Sequence, residues 1–295
     1  MKVAVTGGTG FIGRYILRNL VEQGHAVRSW KRSHSDLTGL ADLPIEWVTG
    51  DLTNLESMQS LVQGCDAVVH AALWKPGVQF RGGEGPVPRF AEVNLVGSLQ
   101  LIQSAMDAGT DRFVFLSTCA VYEIILEDRA LDEAHPCWAS SHYGAHKAAI
   151  EKFVHSYAMG EAYNICALRP PGVYGLHHQA NESKWFDLVQ QIKSGQAVHA
   201  DGGNKLVHAS DVATATSLLL ESDHVAGQAF NCYDRFISNH QVACLAKELS
   251  QSNSVITGSP KQPKHEIETG KLRDKGMTFG GLALLKQTVQ QLLAQ

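Results

Sequence analysis

Short apolar runs alternate with amphipathic stretches through the first 170 residues or so. Val3–Val5, Ala26–Trp30, Glu46–Thr49, Ala67–His70, Arg112–Ser117 and Ile165–Leu168 are brief apolar segments that read as strands. Between them, Ile12–Gln23, Leu55–Val62, Phe90–Ala108 and Tyr143–Met159 carry apolar residues at helical spacing. Such alternation predicts right-handed βαβ crossovers, hence an α/β fold: a doubly wound parallel sheet with helices on both faces. Val114-Phe115-Leu116 has no polar alternation, as expected of a central strand buried on both sides.

The regularity weakens after Arg169-Pro170-Pro171-Gly172. Lys184–Lys193 and Asp211–Glu221 read as helices, Ala229–Cys232 as a short strand and Leu282–Leu293 as a terminal helix. The stretch from about Gln251 to Lys271 is polar and irregular. The expected division is a sheet domain over residues 1–170, to which the segment of about 206–232 returns, and a small C-terminal lobe over 171–295.

Composition narrows the class. The chain has 295 residues, 44% hydrophobic and 18% charged, ordinary for a soluble fold with a well-buried core. A net charge of -4 without a basic run argues against nucleic acid as a partner. No apolar stretch reaches the roughly 18 residues that span a bilayer, so no membrane is expected. Lys2-Val3-Ala4-Val5 enters a strand at once, which predicts no leader and a cytoplasmic location. The 6 cysteines contain no Cys-x-x-Cys pair and the 14 histidines no His-Glu-x-x-His, so reduced thiols and no metal are expected. His177-His178 reads as a solvated loop pair or a pocket lining.

The first candidate chemistry lies in Thr6-Gly7-Gly8-Thr9-Gly10-Phe11-Ile12-Gly13. Gly7, Gly10 and Gly13 keep the Gly-x-x-Gly-x-x-Gly spacing between a strand and a helix. There they allow a tight turn, close approach of backbone to a pyrophosphate, and close helix–strand packing. The first N–H groups of the helix, around Phe11 and Ile12, then face the phosphate charge. At the end of the second strand, an NAD-selective fold places a carboxylate on the ribose 2′-hydroxyl. This chain has Trp30-Lys31-Arg32-Ser33 there. Lys31 and Arg32 would attract a 2′-phosphate, so NADP(H) is the expected cofactor, with NAD as the alternative.

The second is Tyr143-Gly144-Ala145-His146-Lys147, which sets a phenol and an ammonium at i and i+4 on one helix face. A free phenol has a pKa of about 10. A neighbouring ammonium favours the phenolate, so Tyr143 becomes able to exchange a proton with an alcohol or a carbonyl. Thr118 follows the fifth strand, at the carboxyl edge where open α/β sheets bind ligands.

Together these motifs resemble the extended short-chain dehydrogenase/reductase superfamily, in its epimerase/dehydratase branch. The likeness is carried by Thr6–Gly13, Gly50-Asp51-Leu52, His70-Ala71-Ala72, Asn94, Ser117–Tyr122, Tyr143–Lys147 and Arg169–Gly175. It implies a Rossmann-type fold in which the C-terminal lobe binds substrate. It implies further that Asp51 bonds the adenine amino group, that Leu52 packs on the ring, and that Ala71 and Ala72 lie beside the cofactor. By the same resemblance Thr118, Tyr143 and Lys147 are catalytic, Thr118 holding the substrate oxygen and Lys147 also the nicotinamide ribose. A homodimer pairing Phe90–Ala108 and Tyr143–Met159 is implied too, and Ala148, Ala149, Ile150, Phe153 and Val154 are more apolar positions than one face needs.

Nucleotide-sugar enzymes of that branch carry an Asn after the sixth strand and an Arg before Val-His-x-x-Asp. Here the stretches read Arg169-Pro170-Pro171-Gly172 and Asn204-Lys205-Leu206-Val207-His208-Ala209-Ser210-Asp211. Trp74, Phe80, Trp138 and Trp185 suit a compact, partly apolar pocket, with core packing as the alternative. The leading expectation is an NADP(H)-dependent oxidoreductase of small carbonyl or hydroxyl compounds. The alternatives are a nucleotide-sugar epimerase or dehydratase with tightly bound NAD, and a non-catalytic dinucleotide-sensing regulator.

Overall fold

The structure, a computed structural model, describes residues 1–77 and 82–295; Phe80 therefore lies outside the described residues. In chain order the elements begin β1 (Lys2–Thr6), α1 (Phe11–Glu22), β2 (Ala26–Lys31), β3 (Ile45–Thr49), α2 (Leu55–Val62) and β4 (Ala67–His70). Next come α3 (Val87–Ala91), a π-helical turn over Glu92–Val96, α4 (Gly97–Asp107), β5 (Arg112–Leu116), α5 (His142–Glu161) and β6 (Asn164–Arg169). Then follow β7 (Gly172–Tyr174), α6 (Phe186–Lys193), β8 (Val198–His199), β9 (Gly203–His208), α7 (Ala209–Glu221) and β10 (Ala229–Asn231). Last are β11 (Arg235–Ser238), α8 (Asn239–Ser250), β12 (Ile256–Thr257), α9 (Gly270–Arg273) and α10 (Gly281–Leu293).

Two compact units divide these elements. The first comprises Met1–Pro170, Val212–Cys232 and Ile267–Met277. Its sheet has the order β10-β6-β5-β4-β1-β2-β3, with every neighbouring pair parallel. The strand order reverses between β1 and β4, the switch point at which doubly wound sheets open a ligand crevice. The apolar strands are buried on both faces, with Val3, Ala4, Val5, Val68, Val69 and Phe115 fully covered. The doubly wound parallel sheet read from the alternation, and the Rossmann-type fold implied by the resemblance, are the observed architecture.

The expected helix Phe90–Ala108 is broken at the π turn. Asn94 causes the break: its Nδ2 donates to the Phe90 and Trp74 carbonyls at 3.0 and 2.8 Å, and its Oδ1 accepts from Trp74 N at 2.7 Å. A side chain that bonds both its own helix and the chain after β4 displaces the regular ladder, and such bulges recur at functional sites.

The second unit comprises Pro171–Asp211, Tyr233–Glu266 and Thr278–Gln295. It holds the three-stranded sheet β11-β9-β7, the pair β12-β8, and helices α6, α8 and α10 around Val189, Ile192, Val242, Leu285 and Val289. Strands β9 and β11 and helix α8 have no counterpart in the sequence reading. Helix α8 is nucleated locally, with Ser238 Oγ accepting from Gln241 N at 3.0 Å. Helix α6 starts later than expected because Trp185 takes a left-handed φ of 67° and ends the preceding turn.

Candidate active site

Because the strands of the first unit are parallel, their carboxyl ends share one edge. At the end of β1, Gly7 has φ +73°, and a Cβ there would sit 2.7 Å from the carbonyl carbon of Ala71 and the nitrogen of Ala72. Ala71 N donates to the Thr6 carbonyl and Ala72 N to Thr6 Oγ1, each at 3.2 Å. The glycine turn is thus seated on Ala71-Ala72. A Cβ on Gly13 would lie only 2.0 Å from the Gly7 carbonyl oxygen. Gly10 caps α1 with no side-chain bond, and Phe11 and Ile12 form the first turn of that helix. A cradle of backbone with no room for side chains, opening on a helix N-terminus, fits a dinucleotide pyrophosphate.

Lys31 ends β2 half-buried, and Arg32 is exposed just beyond it. The loop that follows is tied down by Arg14, a buried residue the motif reading passed over. Its Nε donates to the Thr9 carbonyl at 3.0 Å, and its two terminal nitrogens to the carbonyls of Thr38 and Asp36. Beyond β3, Leu52 is buried in the core, whereas Asp51 is exposed with Oδ1 accepting from Thr53 N at 2.8 Å and Thr53 Oγ1 at 2.6 Å.

Helix α5 brings the second motif to the same unit. Three acceptors fix its start: Ser141 Oγ takes Gly144 N at 3.0 Å, Glu84 Oε1 takes Tyr143 N at 3.2 Å, and Glu123 takes Ser141 N at 2.6 Å. Tyr143 sits half-buried on the first turn, beside the His146 ring at 5.6 Å between centroids. One turn on, Lys147 is fully enclosed. Its Nζ donates to the Leu116 carbonyl at 2.6 Å and stands 4.4 Å from the Phe115 ring centroid. Burial lowers its pKa to about 7, against which the Glu151 carboxylate pulls upward. Thr118 is buried two residues beyond β5, where its Oγ1 accepts from Ala120 N at 3.1 Å. Lys147 is thus bonded to the last residue of β5, and Thr118 follows that residue by two positions.

Histidines nearby are structural. His70 bonds Thr6 Oγ1 at 2.7 Å and Ser98 Oγ at 2.8 Å, and burial holds its pKa down to about 3. His146 is lowered to about 3 by the same cause. His135 accepts from Leu126 N at 3.0 Å and bonds the Pro136 carbonyl at 2.9 Å, so both nitrogens are engaged.

Sequence reading missed a buried cluster behind Lys147. Glu151 accepts from Ser117 Oγ and from Arg169, whose Nε lies 2.9 and 3.1 Å from the two carboxylate oxygens. The signal was present as the spacing Tyr143, Lys147, Glu151, which continues one helix face. Glu84 carried no signal, because its role depends on the fold of the chain after β4.

The aromatic residues named for a pocket fall in both units. Trp74 packs on the core of the first unit, Trp138 of that unit is 49% exposed, and Trp185 packs on Tyr174 in the second unit. In the second unit Asn204 and Lys205 lie on β9. Asp211 takes Gly280 N with both oxygens, at 3.1 and 3.2 Å, and burial raises its pKa to about 6. His177 and His178 stack at 4.2 Å between centroids. Among the described residues no helix is long and apolar enough to cross a membrane.

Known proteins resemble this chain in sequence and in fold. A 3-beta-hydroxysteroid dehydrogenase of Mycolicibacterium neoaurum is 31% identical over 64% of this chain, which spans about half (52%) of that relative. A dTDP-D-glucose 4,6-dehydratase of Mus musculus is 30% identical over 85% of this chain and 72% of its own length. The solved UDP-N-acetylglucosamine 4-epimerase of Methanobrevibacter ruminantium superposes with a TM-score of 0.82 at 20% identity, covering 100% of this chain and 98% of that one, which establishes likeness of fold. Residues 3–232 match the NAD dependent epimerase/dehydratase family, and the chain belongs to that family of nicotinamide-dependent enzymes.

Proposed function

We propose that the protein is an NADP(H)-dependent oxidoreductase of a small carbonyl or hydroxyl compound. The observation that carries this reading is the enclosed Lys147, one helical turn from Tyr143 and bonded 2.6 Å to the strand end that leads into Thr118. When bound, the dinucleotide supplies or takes up hydride. Gly7, Gly10, Phe11, Ile12 and Gly13 would hold its pyrophosphate, Asp51 and Leu52 its adenine, and Ala71 and Ala72 the wall beside it. In reduction, Tyr143 donates its phenolic proton to the carbonyl oxygen; in oxidation it removes the proton of the alcohol. Thr118 Oγ1 bonds the same oxygen and steadies its developing charge. Lys147 favours the phenolate and, through its remaining N–H groups, binds the nicotinamide ribose. The second unit supplies the substrate lobe.

The similarity to a named hydroxysteroid dehydrogenase supports this reading. That to a named sugar-nucleotide dehydratase supports the second, an epimerase or dehydratase that retains NAD. Steady NADPH consumption with a panel of ketones and aldehydes is the expected result. Interconversion of sugar nucleotides without net NADPH consumption would replace the first reading by the second. Turnover of either kind excludes the non-catalytic sensor.

Cofactor choice gives a separate expectation. NADPH binds more tightly than NADH, and Lys31→Ala and Arg32→Ala each narrow the gap. Arg32 is exposed and Lys31 only half-buried, so each contributes at most about 1 kcal/mol, roughly five-fold in affinity. Calorimetric titration with both dinucleotides checks this, and tighter binding of NADH overturns it.

We further propose a homodimer through α4 and α5. The core takes Ile150 and Val154, while Phe153 on α5 remains 41% and Val96 in the π turn 46% exposed. Ala148 and Ala149 are half-buried beside them. Sedimentation velocity at micromolar concentration is expected to show a dimer that Phe153→Glu dissociates. A monomeric wild type would remove the claim.

A further inference from the structure

Tyr143, Lys147 and Glu151 are spaced i, i+4 and i+8 on α5 and so lie along one face of it. Glu151 is buried and is shared between two strands: Ser117 Oγ at the end of β5 and Arg169 at the end of β6 both donate to it. Arg169 is anchored elsewhere too, by the Tyr122 hydroxyl, Cys137 Sγ at 3.3 Å and the Glu133 carbonyl at 3.4 Å, which leaves it little freedom to turn toward a substrate. Lys147, in turn, donates to Leu116, next to Ser117. The last residues of β5, which lead into Thr118, are therefore gripped by Lys147 and Glu151 from the same helix.

The surroundings of Lys147 hold few charges. His70 on β4 and His146 on α5 act on it as polar neighbours that stay neutral; Phe115 of β5 presents a ring; Tyr143 lies one turn away; Arg169 of β6 stands behind Glu151. Among the described residues, the carboxylate that favours the charged form of this lysine is Glu151.

Resting on the function proposed above, we propose that Glu151 is a positioning residue of the reaction, which keeps Lys147 an ammonium beneath Tyr143 and fixes Ser117-Thr118, with Arg169 as its structural counter-ion. The carboxylate acts through Lys147 and Ser117 and touches neither substrate nor cofactor. Burial lowers the lysine and Glu151 raises it, to a net value of about 7, so loss of its counter-charge matters in the working pH range.

The test is the titration of the Lys147 side-chain nitrogen, followed by NMR in ¹⁵N-lysine-labelled protein and assigned by its absence in Lys147→Met. Glu151→Gln retains the shape and removes the charge. It is expected to lower the lysine pKa by about one unit, taking the charged fraction at pH 7 from about half to about a tenth, roughly five-fold. The alkaline limb of the kcat profile with NADPH and a ketone moves down by the same interval. Glu151→Asp, which keeps the charge, restores most of the shift, whereas a purely packing role predicts Asp to be as damaging as Gln. If Glu151→Gln fails to fold, Glu151→Gln with Arg169→Met removes both members of the buried pair; because the Arg169 charge is lost too, a downward lysine shift smaller than that of Glu151→Gln is expected. An unmoved lysine titration in a folded variant overturns the proposal. The titration needs no substrate, so an absence of carbonyl turnover tells against the proposed function alone.

Discussion

Tyr143→Phe is expected to lower turnover roughly 10²- to 10⁴-fold, the usual contribution of one positioned acid–base group, while dinucleotide affinity stays near that of the wild type. The expectation rests on how little the substitution removes. Tyr143 is half-buried at the first turn of α5, which is held by its backbone through Glu84 and by the Ser141 cap; none of these contacts uses the phenol oxygen. Folding and the glycine cradle should survive, and the loss falls on the proton transfer. Single-turnover hydride transfer, with dinucleotide affinity measured in parallel, is the check. Near wild-type chemistry in the variant would mean that another group moves the proton. His135 is a poor substitute, since both its nitrogens are committed to the backbone of Leu126 and Pro136. Lys147 would then be the group to examine, its pKa of about 7 being compatible with proton exchange near neutrality.

The sheet was legible because its strands are buried on both faces. Segments such as Val114-Phe115-Leu116 need apolar residues at every position, and the six strands read from the sequence match the observed bounds within one residue at each end. The glycine turn and the Tyr143–Lys147 face were legible as local geometry, because each depends on spacing along a short stretch of chain. What escaped depends on contacts between distant segments. Asn94 breaks a helix by binding the chain at Trp74, twenty residues away. Glu84 reaches Tyr143 N, 59 residues along the chain. Glu151 and Arg169, 18 residues apart, form their pair only when α5 lies over β6. In the second unit, β9 and β11 pair antiparallel through Gly203–Leu206 and Arg235–Ser238, short mixed segments whose pattern alone does not distinguish them from loops. Similarly, Trp74 packs against the core of the first unit and Trp185 against that of the second, a division that size and apolarity alone do not specify.

Gly13→Ala should abolish dinucleotide binding, although it adds a single methyl group. The new Cβ would lie 2.0 Å from the Gly7 carbonyl oxygen and 2.7 Å from the Gly8 Cα, both backbone atoms that no side-chain rotation can move aside. Relief requires α1 to withdraw from the turn, which costs about 3 kcal/mol of stability or more, the upper range for overpacking. Withdrawal also carries the first N–H groups of α1 away from the pyrophosphate site. Loss of one charge-assisted hydrogen bond, worth about 1.5–3 kcal/mol, reduces affinity about 10- to 150-fold, and loss of two about 150-fold or more. Gly160→Ala provides the contrast: that glycine lies near the end of α5 with nothing within 4 Å of its added Cβ and no left-handed φ. There the methyl group should stabilise the helix by up to about 1 kcal/mol and leave binding unchanged. Dinucleotide titration and thermal melting of the two variants read both effects. If Gly13→Ala bound the dinucleotide as the wild type does, the turn between β1 and α1 would not be its cradle. The cofactor would then have to be sought elsewhere along the carboxyl edge of the sheet.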